Sequence, residues 1–493
     1  SDKEKDYEVD RRLPSPVEGM ATPTLPAPEK VRPISLGASL ALAGVENPVI
    51  GIAEQAVRIS QAELLRARVL LLPNVTVGVN YHLHNGPLQS SFGAVRKVDS
   101  QSVNYGLGTY AITAGTQEMP GLLISTPLGD AIFEPQIARQ VVANRRFRAT
   151  ATRNEILLEV ATDYLDLLGS EGRLAVIHQS EADFKEVVRL TTNFANTGVG
   201  RKGDADRAEA DLLALQYEEQ QAQEQVAVDS AELAHLLNLD PSTRLQTGDV
   251  PIQVVQFVDP KEPLPKLLQI AARNRPEVLA AAATIAASQT RLRQEKVRPL
   301  LPTLIAGFSA DDFGGGAVAS TRGNVFNPHT GNTVGDVSPL TGQTSPKFGS
   351  IVGRTDVDVL AVWTLQNFGL GNLAHVKQRR AQLNEAEAER VRVLNEVEKE
   401  VSVAYSRSAD RLLSIEIERR RVQAASDGFQ RDLERTRGGI GFPIEVLNNA
   451  KRLSAARQAL LEAIIGFDRA QFQLFVALGQ PPTMVVEDEK PTP

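Results

Sequence analysis

Gly198-Val199-Gly200-Arg201-Lys202-Gly203 has the spacing of a loop that cradles phosphates, and a carboxylate, Asp204, follows it directly. In a dinucleotide site such glycines lie between a strand and a helix, with the helix N-terminus facing the pyrophosphate. Here the loop ends a long helical stretch instead. A matching turn at Gly438-Gly439-Ile440-Gly441 lacks the last glycine, so a tight helical hairpin explains both. Asp204 and Glu445, just beyond the two turns, fall where a carboxylate complements the positive end of a helix dipole. His82 and His84 are two residues apart, hence on one face of a strand, but no third metal ligand stands near them. No Ser, His and Asp grouping has a nucleophile-turn context, and the absence of cysteine removes thiolate chemistry and disulfides together. We expect no catalytic residue, no cofactor and no metal, and therefore no enzyme.

The elements that position these residues come twice. Leu71 to Gly78 (LLPNVTVG) recurs as Leu300 to Gly307 (LLPTLIAG), and residues 139–238 match 380–479 at a constant interval of 241. Chemically alike partners include Val160 with Val401, Tyr164 with Tyr405, Gly198 with Gly439, Gly200 with Gly441, Asp204 with Glu445, and Leu237 with Leu478. A repeat of that length is a whole structural unit, so one duplicated architecture is expected.

Composition narrows the class. Aromatic content is 5%, and Ala, Glu, Gln and Arg crowd the middle of each copy, which favours long helices. A net charge of −7, from 53 basic and 60 acidic residues, leaves no basic footprint, so nucleic acid is not an expected partner. No apolar run reaches the roughly 18 residues of a spanning helix, so a membrane role requires a β-barrel. The chain begins at Ser1 without a basic-then-apolar leader, and we read it as a processed or trimmed form.

Along the chain, residues 1–33 read as an extended proline-rich arm. Repeat 1 spans 34–240: a helix opened by Asn47-Pro48 and closed by Pro73, barrel strands within 74–126, a long helix over 135–196 and a return helix over 204–238. Val75, Val77, Val79, Tyr81 and Leu83 alternate with polar residues, giving a strand with two unlike faces, and His84-Asn85-Gly86 reads as its turn. A second strand is expected over Val103 to Thr113 and a third over Leu122 to Thr126. A linker over 241–265 carries an alternating apolar stretch, Ile252 to Val258, read as a belt joining the copies. Repeat 2 spans 266–482, with strands within 303–367, a long helix over 373–435 and a return helix over 443–479; a tail over 483–493 follows. Its first strand is expected to end near Phe313, before a loop rich in Gly, Asn, Thr and Pro. A helix of some 60 residues reaches about 90 Å, which no compact domain needs. Four strands cannot close a barrel, and open edges are intolerable in lipid; three chains would supply twelve strands.

Two copies of Pro-closed helix, strand pair, long helix, Gly-x-Gly turn and return helix resemble the TolC-type outer membrane efflux proteins over roughly Ile34 to Pro482. The specific elements are LPNVTV at Leu72 to Val77, the strand exit TPLGDAIFEP at Thr126 to Pro135 with its echo TLQNFGLGN at Thr364 to Asn372, and the two glycine turns. The resemblance implies a mainly α chain with membrane β-structure. A homotrimer would form a 12-stranded barrel in the bacterial outer membrane, continued by an α-helical barrel into the periplasm. It implies a passive exit duct of a tripartite efflux or type I secretion system. Its partners would be a periplasmic adaptor, an inner-membrane transporter and outer membrane lipid. By resemblance, Asp204, Glu445 and Asn448 line the periplasmic aperture, and Gly198, Gly200, Gly439 and Gly441 shape the tips that meet the adaptor. Asp311, Asp312, Asp356 and Asp358 flank the second strand pair and read as facing the lumen, with calcium binding as the alternative; Trp363 reads as a membrane-interface residue, with simple strand packing as the alternative. The rival reading is a soluble, elongated coiled-coil scaffold of the cell envelope; alternating strand segments ended by matched prolines speak against it.

Overall fold

The computed structural model describes residues 30–89, 95–108, 121–198, 200–240, 242–248, 254–320, 325–326, 333–334 and 351–482. The described chain opens with β1 (Lys30–Ile34), α1 (Leu36–Glu46) and α2 (Pro48–Arg68). Next come β2 (Asn74–Val75), β3 (Val77–Gln89), β4 (Val95–Leu107), β5 (Leu122–Pro127), α3 (Leu128–Asn196) and α4 (Lys202–Leu236). The second half holds β6 (Thr243–Thr247), α5 (Leu264–Asn274), α6 (Pro276–Val297), β7 (Thr303–Ser320), β8 (Val325–Phe326), β9 (Thr333–Val334), β10 (Val352–Val362), α7 (Leu370–Arg437) and α8 (Pro443–Ala477).

α3 and α7, of 69 and 68 residues, reach on the order of 100 Å each. Every bound of α8 lies 241 positions after that of α4, the interval of the sequence matches. Towards the sheet the helices lie side by side in the order α2, α3, α6, α7; towards the glycine turns the order is α4, α3, α8, α7. A single layer of helices has two flanks, so its apolar seams bury only between neighbours. One core joins Leu157, Tyr164 and Leu168 of α3 to Val226 and Leu233 of α4. Another, near the turns, joins Phe184 and Val187 to Phe429, Leu433 and Leu453. Each fully buried Leu or Phe contributes about 1.5–3 kcal/mol.

The two Xaa-Pro junctions solve one problem with different chemistry. Asn47 caps α2 through its Oδ1 to the Val49 amide at 2.9 Å and donates its Nδ2 to the Leu236 carbonyl at the end of α4. Arg275, at the second junction, makes no side-chain cap. Its guanidinium bonds the Val476 carbonyl at the end of α8 and pairs with Glu277 and Glu400. A cation there complements the negative end of the helix.

The strands occupy four lanes. β7 pairs with β10 along one side; along the other it pairs with β5 over residues 303–308 and with β4 over residues 310–320. β4 and β5 thus share a lane, and β3 and β2 share the next. Among the described residues, the far edges of β3 and β10 have no partner strand.

Several elements differ from expectation. Residues 30–33, read as part of the arm, belong to β1, which pairs in parallel with β6 inside the linker. The His84-Asn85-Gly86 segment is no turn, because Asn85 faces Asp99 and Gly86 faces Val98 within a continuous ladder. β7 runs on to Ser320, with Gly314, Gly315 and Gly316 inside the strand. The first long helix begins at Leu128 and carries Pro135 inside it. Thr113, the expected end of the second strand, lies outside the described residues, as do residues 1–29 and 483–493. No single helix among the described residues is long and apolar enough to cross a membrane.

Candidate functional site

Both hairpin turns are built around a glycine in the left-handed region, Gly198 at φ 76° and Gly439 at φ 77°. The amides of Gly200 and Gly441 return to the carbonyls of Phe194 (2.8 Å) and Arg435 (3.2 Å). A Cβ on Gly200 would stand 2.9 Å from the Phe194 Cβ, and one on Gly441 2.6 Å from the Thr436 hydroxyl. These glycines are therefore demanded by conformation at one position and by space at the other.

Beyond the turns, Asp204 sits in the first turn of α4 and Glu445 in the first turn of α8, where carboxylates meet the helix dipole. Asp204 pairs with Arg207 of its own helix at 3.3 Å. Glu445 is half-buried, and Asn448, one turn on, is exposed. One chain does not bring the three together, since α4 and α8 are separated by α3 and barely touch.

Sequence reasoning missed the charges that tie one hairpin to the other. Arg437 of α7 reaches Glu186 of α3 at 2.8 Å, Arg457 of α8 reaches Asp183 of α3 at 2.7 Å, and Lys451 of α8 reaches Asp211 of α4 at 2.7 Å. Arg469 of α8 pairs with Asp166 of α3. Hydrogen bonds from Arg189, and then Arg437, hold the Glu186 carboxyl down at about 2. Alternation of Glu and Arg along the rods showed that pairs were available, but not which faces meet.

Between α3, α4 and α8 lies a cavity of about 860 Å³ whose wall includes Asp166, Asp229, Glu232, Arg173 and Arg469. Next to it Asp163 is pushed up to about 6, by burial first and then by the charges of Glu159, Asp166, Glu232 and Asp229. A raised carboxyl pKa stabilises the folded chain below the ordinary pKa and loses that contribution as pH rises through 6. Asp163→Asn is expected to raise the thermal midpoint at pH 7.5 by the equivalent of about 1 kcal/mol, discounted for partial exposure, and to change little at pH 4. A thermal melt at the two pH values checks this.

At the other end, the sheet turns its apolar side outward. Val77, Val79, Tyr81 and Leu83 are 57–77% exposed, and Val357 and Val359 continue that face on β10. The opposite face carries His82, His84, Ser102, Asn104, Ser309, Asp311, Asp356 and Asp358, with Asn104, Ser309 and Asp311 buried. Asp312 lies on the apolar side, opposite Tyr105. His82 and His84 share the polar face, and no group of three or more metal-binding side chains forms among the described residues. Trp363 follows β10 at the junction with the helices, exposed, with its indole N–H donated to the Leu300 carbonyl at 3.3 Å. Leu300, Leu365 and Phe368 are exposed at the same junction.

No family model and no curated protein matches the chain. Solved structures do. The outer-membrane channel OprN superposes with a TM-score of 0.66 at 18% identity, covering 90% of this chain and 89% of that one. The outer membrane protein VceC from Vibrio cholerae gives 0.65 at 15% identity, with 90% and 96% covered. The open state of the Neisseria gonorrhoeae MtrE outer membrane channel gives 0.64 at 15% identity, with 90% and 89% covered. With nine-tenths of the chain superposed on such structures, it has the fold of the TolC-type outer membrane channels.

Proposed function

We propose that the chain is one third of an outer membrane exit duct. The observation that carries this reading is the inverted sheet: an apolar face open to the surroundings, a polar face on which Asn104, Ser309 and Asp311 are buried, and, among the described residues, two edges without a partner strand. In water such a sheet would expose a continuous apolar surface, whereas in a bilayer the same face is solvated by lipid and the polar face lines a wet interior. Free strand edges are not tolerated in lipid, so β10 of one copy must pair with β3 of the next. Four lanes from each of three copies make a twelve-stranded barrel.

The helix layer supports the same head-to-tail closure. Its flanks carry exposed apolar side chains, Ile52 and Ile59 on α2 and Leu213 and Tyr217 on α4, against Leu413 and Ile417 on α7. Closed around a threefold axis, this layer becomes a tunnel running from the barrel into the periplasm. The glycine turns end it, with Asp204, Glu445 and Asn448 around the aperture. The chain conducts passively, a periplasmic adaptor docks on the tips, and an inner-membrane transporter supplies the energy. An elongated water-soluble scaffold leaves the exposed face of β3 and β10 without a purpose.

Because the chain lacks cysteine, one cysteine in β3 and one in β10 form a clean test. Oxidation should give trimers on denaturing gels, from protein that needs detergent to stay in solution; a monodisperse monomer without detergent would refute the duct. In a planar bilayer, Asp204→Ala combined with Glu445→Ala is expected to raise single-channel conductance and weaken cation preference. Unchanged conductance and preference would remove both residues from the aperture.

A further inference from the structure

The belt that crosses between the two copies is held by a pair of buried polar side chains in α8. Gln471 is fully buried and makes four hydrogen bonds: its Oε1 accepts the amides of Phe257 and Val258, both at 2.9 Å, and its Nε2 donates to the Val258 carbonyl and to Ser408 Oγ of α7. One turn earlier, Asp468 is 1% exposed and accepts the Val255 amide at 2.8 Å. Phe257 enters the same groove and meets Phe472 edge-on, with ring centroids 4.7 Å apart. Backbone amides of an irregular segment are thus read by side chains, as in the docking of a peptide, except that the segment belongs to the same chain.

The cations near Asp468 do not pair with it. Arg469 on its own helix turns to Asp166 of α3, and Arg411 of α7 lies beside Gly466. Arg407 of α7 lines a separate pocket, with Glu400 and Val476, that does not include Asp468. On the belt, Asp259 accepts the amide of Lys261. Among the described residues none of these cations bonds to Asp468, so an ionised carboxylate there has one amide for compensation. Burial raises its pKa to about 7, against the opposing pull of the Val255 amide.

We propose that Asp468 and Gln471 form a proton-sensitive clasp on the belt, closed while Asp468 is protonated and loosened when it ionises. A neutral carboxyl keeps the Val255 hydrogen bond without a buried charge, whereas the ionised form gains by leaving the groove for water. The sign follows from a raised pKa: docking is fully supported below the ordinary carboxyl pKa and loses that support as pH rises through about 7. The first copy supplies an internal control. Ser230, the counterpart of Gln471 at the 241-residue interval, accepts the Leu245 amide of β6, but Ala227 stands where Asp468 stands in the second copy. The clasp is therefore confined to one hairpin of the two.

Amide hydrogen exchange on the full chain in detergent, corrected for the intrinsic pH dependence, tests this. Protection over Val255 to Val258 should fall about tenfold between pH 6 and pH 8, while protection over Thr243 to Thr247 stays constant. Asp468→Asn, which keeps an acceptor for Val255, should be flat across that range. Gln471→Ala should lower protection at every pH and keep the slope. Equal protection of the native belt at both pH values overturns the clasp, as does an equal fall over Thr243 to Thr247 or a slope surviving in Asp468→Asn. Should Asp468→Asn fail to fold, the native profile against the β6 control decides.

Discussion

Gly479→Ala is expected to destabilise the chain by about 2–4 kcal/mol, combining a left-handed backbone penalty with overpacking against an immovable neighbour. Gly479 follows α8 at φ 83°, and a Cβ there would stand 2.7 Å from the carbonyl carbon of Asn274 and 2.9 Å from the Arg275 amide nitrogen. Both obstacles are backbone, at the joint between α5 and α6, so no rotamer change relieves them. Its counterpart in the first copy is Asn238, at φ 53°, a residue type that tolerates this region. Gly479→Asn should therefore fail too, although Asn serves in the other copy, because backbone crowding and not conformation is decisive. Gly198→Ala makes the contrast: its φ is equally left-handed but nothing lies within 4 Å, so about 1 kcal/mol is expected. Thermal melts of the three variants give the order, and a Gly479→Ala loss no larger than that of Gly198→Ala would show that the α5–α6 joint yields.

Much of the helical body was legible because its signals are local. Asn47-Pro48, the glycine turns and the Ala, Glu and Arg-rich rods each declare a helix boundary or interior within a few residues. Glycine in the sheet misled for a physical reason. A side chain on Gly314 would strike Ile351 at 2.9 Å and one on Gly315 the Gln101 carbonyl at 2.8 Å, so these residues serve close approach between strands and not a turn. The β1–β6 pair was illegible because it joins segments some two hundred positions apart, with no local pattern to announce a parallel partner. Asp468 and Gln471 were hidden likewise: in the sequence they are two polar interruptions of an apolar seam, and only the docked belt gives them partners. Asp204 was harder to relate to Glu445 and Asn448, because it stands on α4 while they stand one turn apart on α8, with α3 between the two helices.

Acid and alkali act on different parts of this molecule. Glu186, with its pKa depressed to about 2, stabilises the tip at any pH above the ordinary carboxyl value and loses that only as pH falls through 2. Asp163 and Asp468 run the opposite way, favouring the folded arrangement as pH falls below 6 and 7. Between pH 5 and pH 8 the Glu186 tie near the turns is constant while the middle of the helical body tightens in acid. A pH response of stability in that range is therefore expected from the belt and the α3–α4 cluster and not from the Glu186 tie.

Removing the charges that tie the hairpins is expected to have the larger functional effect. Arg457→Ala leaves Asp183, a mostly buried carboxylate, without its partner across the α3–α8 contact, and Arg437→Ala frees the α7 end from Glu186. Exposed pairs such as Arg437–Glu186 are worth at most about 1 kcal/mol, but breaking the more buried one costs about 1–3 kcal/mol because the remaining charge is stranded. A combined loss of about 2 kcal/mol shifts the balance between packed and splayed hairpins roughly thirtyfold. The double variant should therefore conduct more, or dwell longer in its higher-conductance state, in a planar bilayer at pH 7. A charge exchange, Arg457→Asp with Asp183→Arg, restores the attraction with the opposite polarity and should return conductance towards that of the native chain. If the exchanged and the deleted variants conduct alike, the ion pairs stabilise the chain without closing the proposed duct.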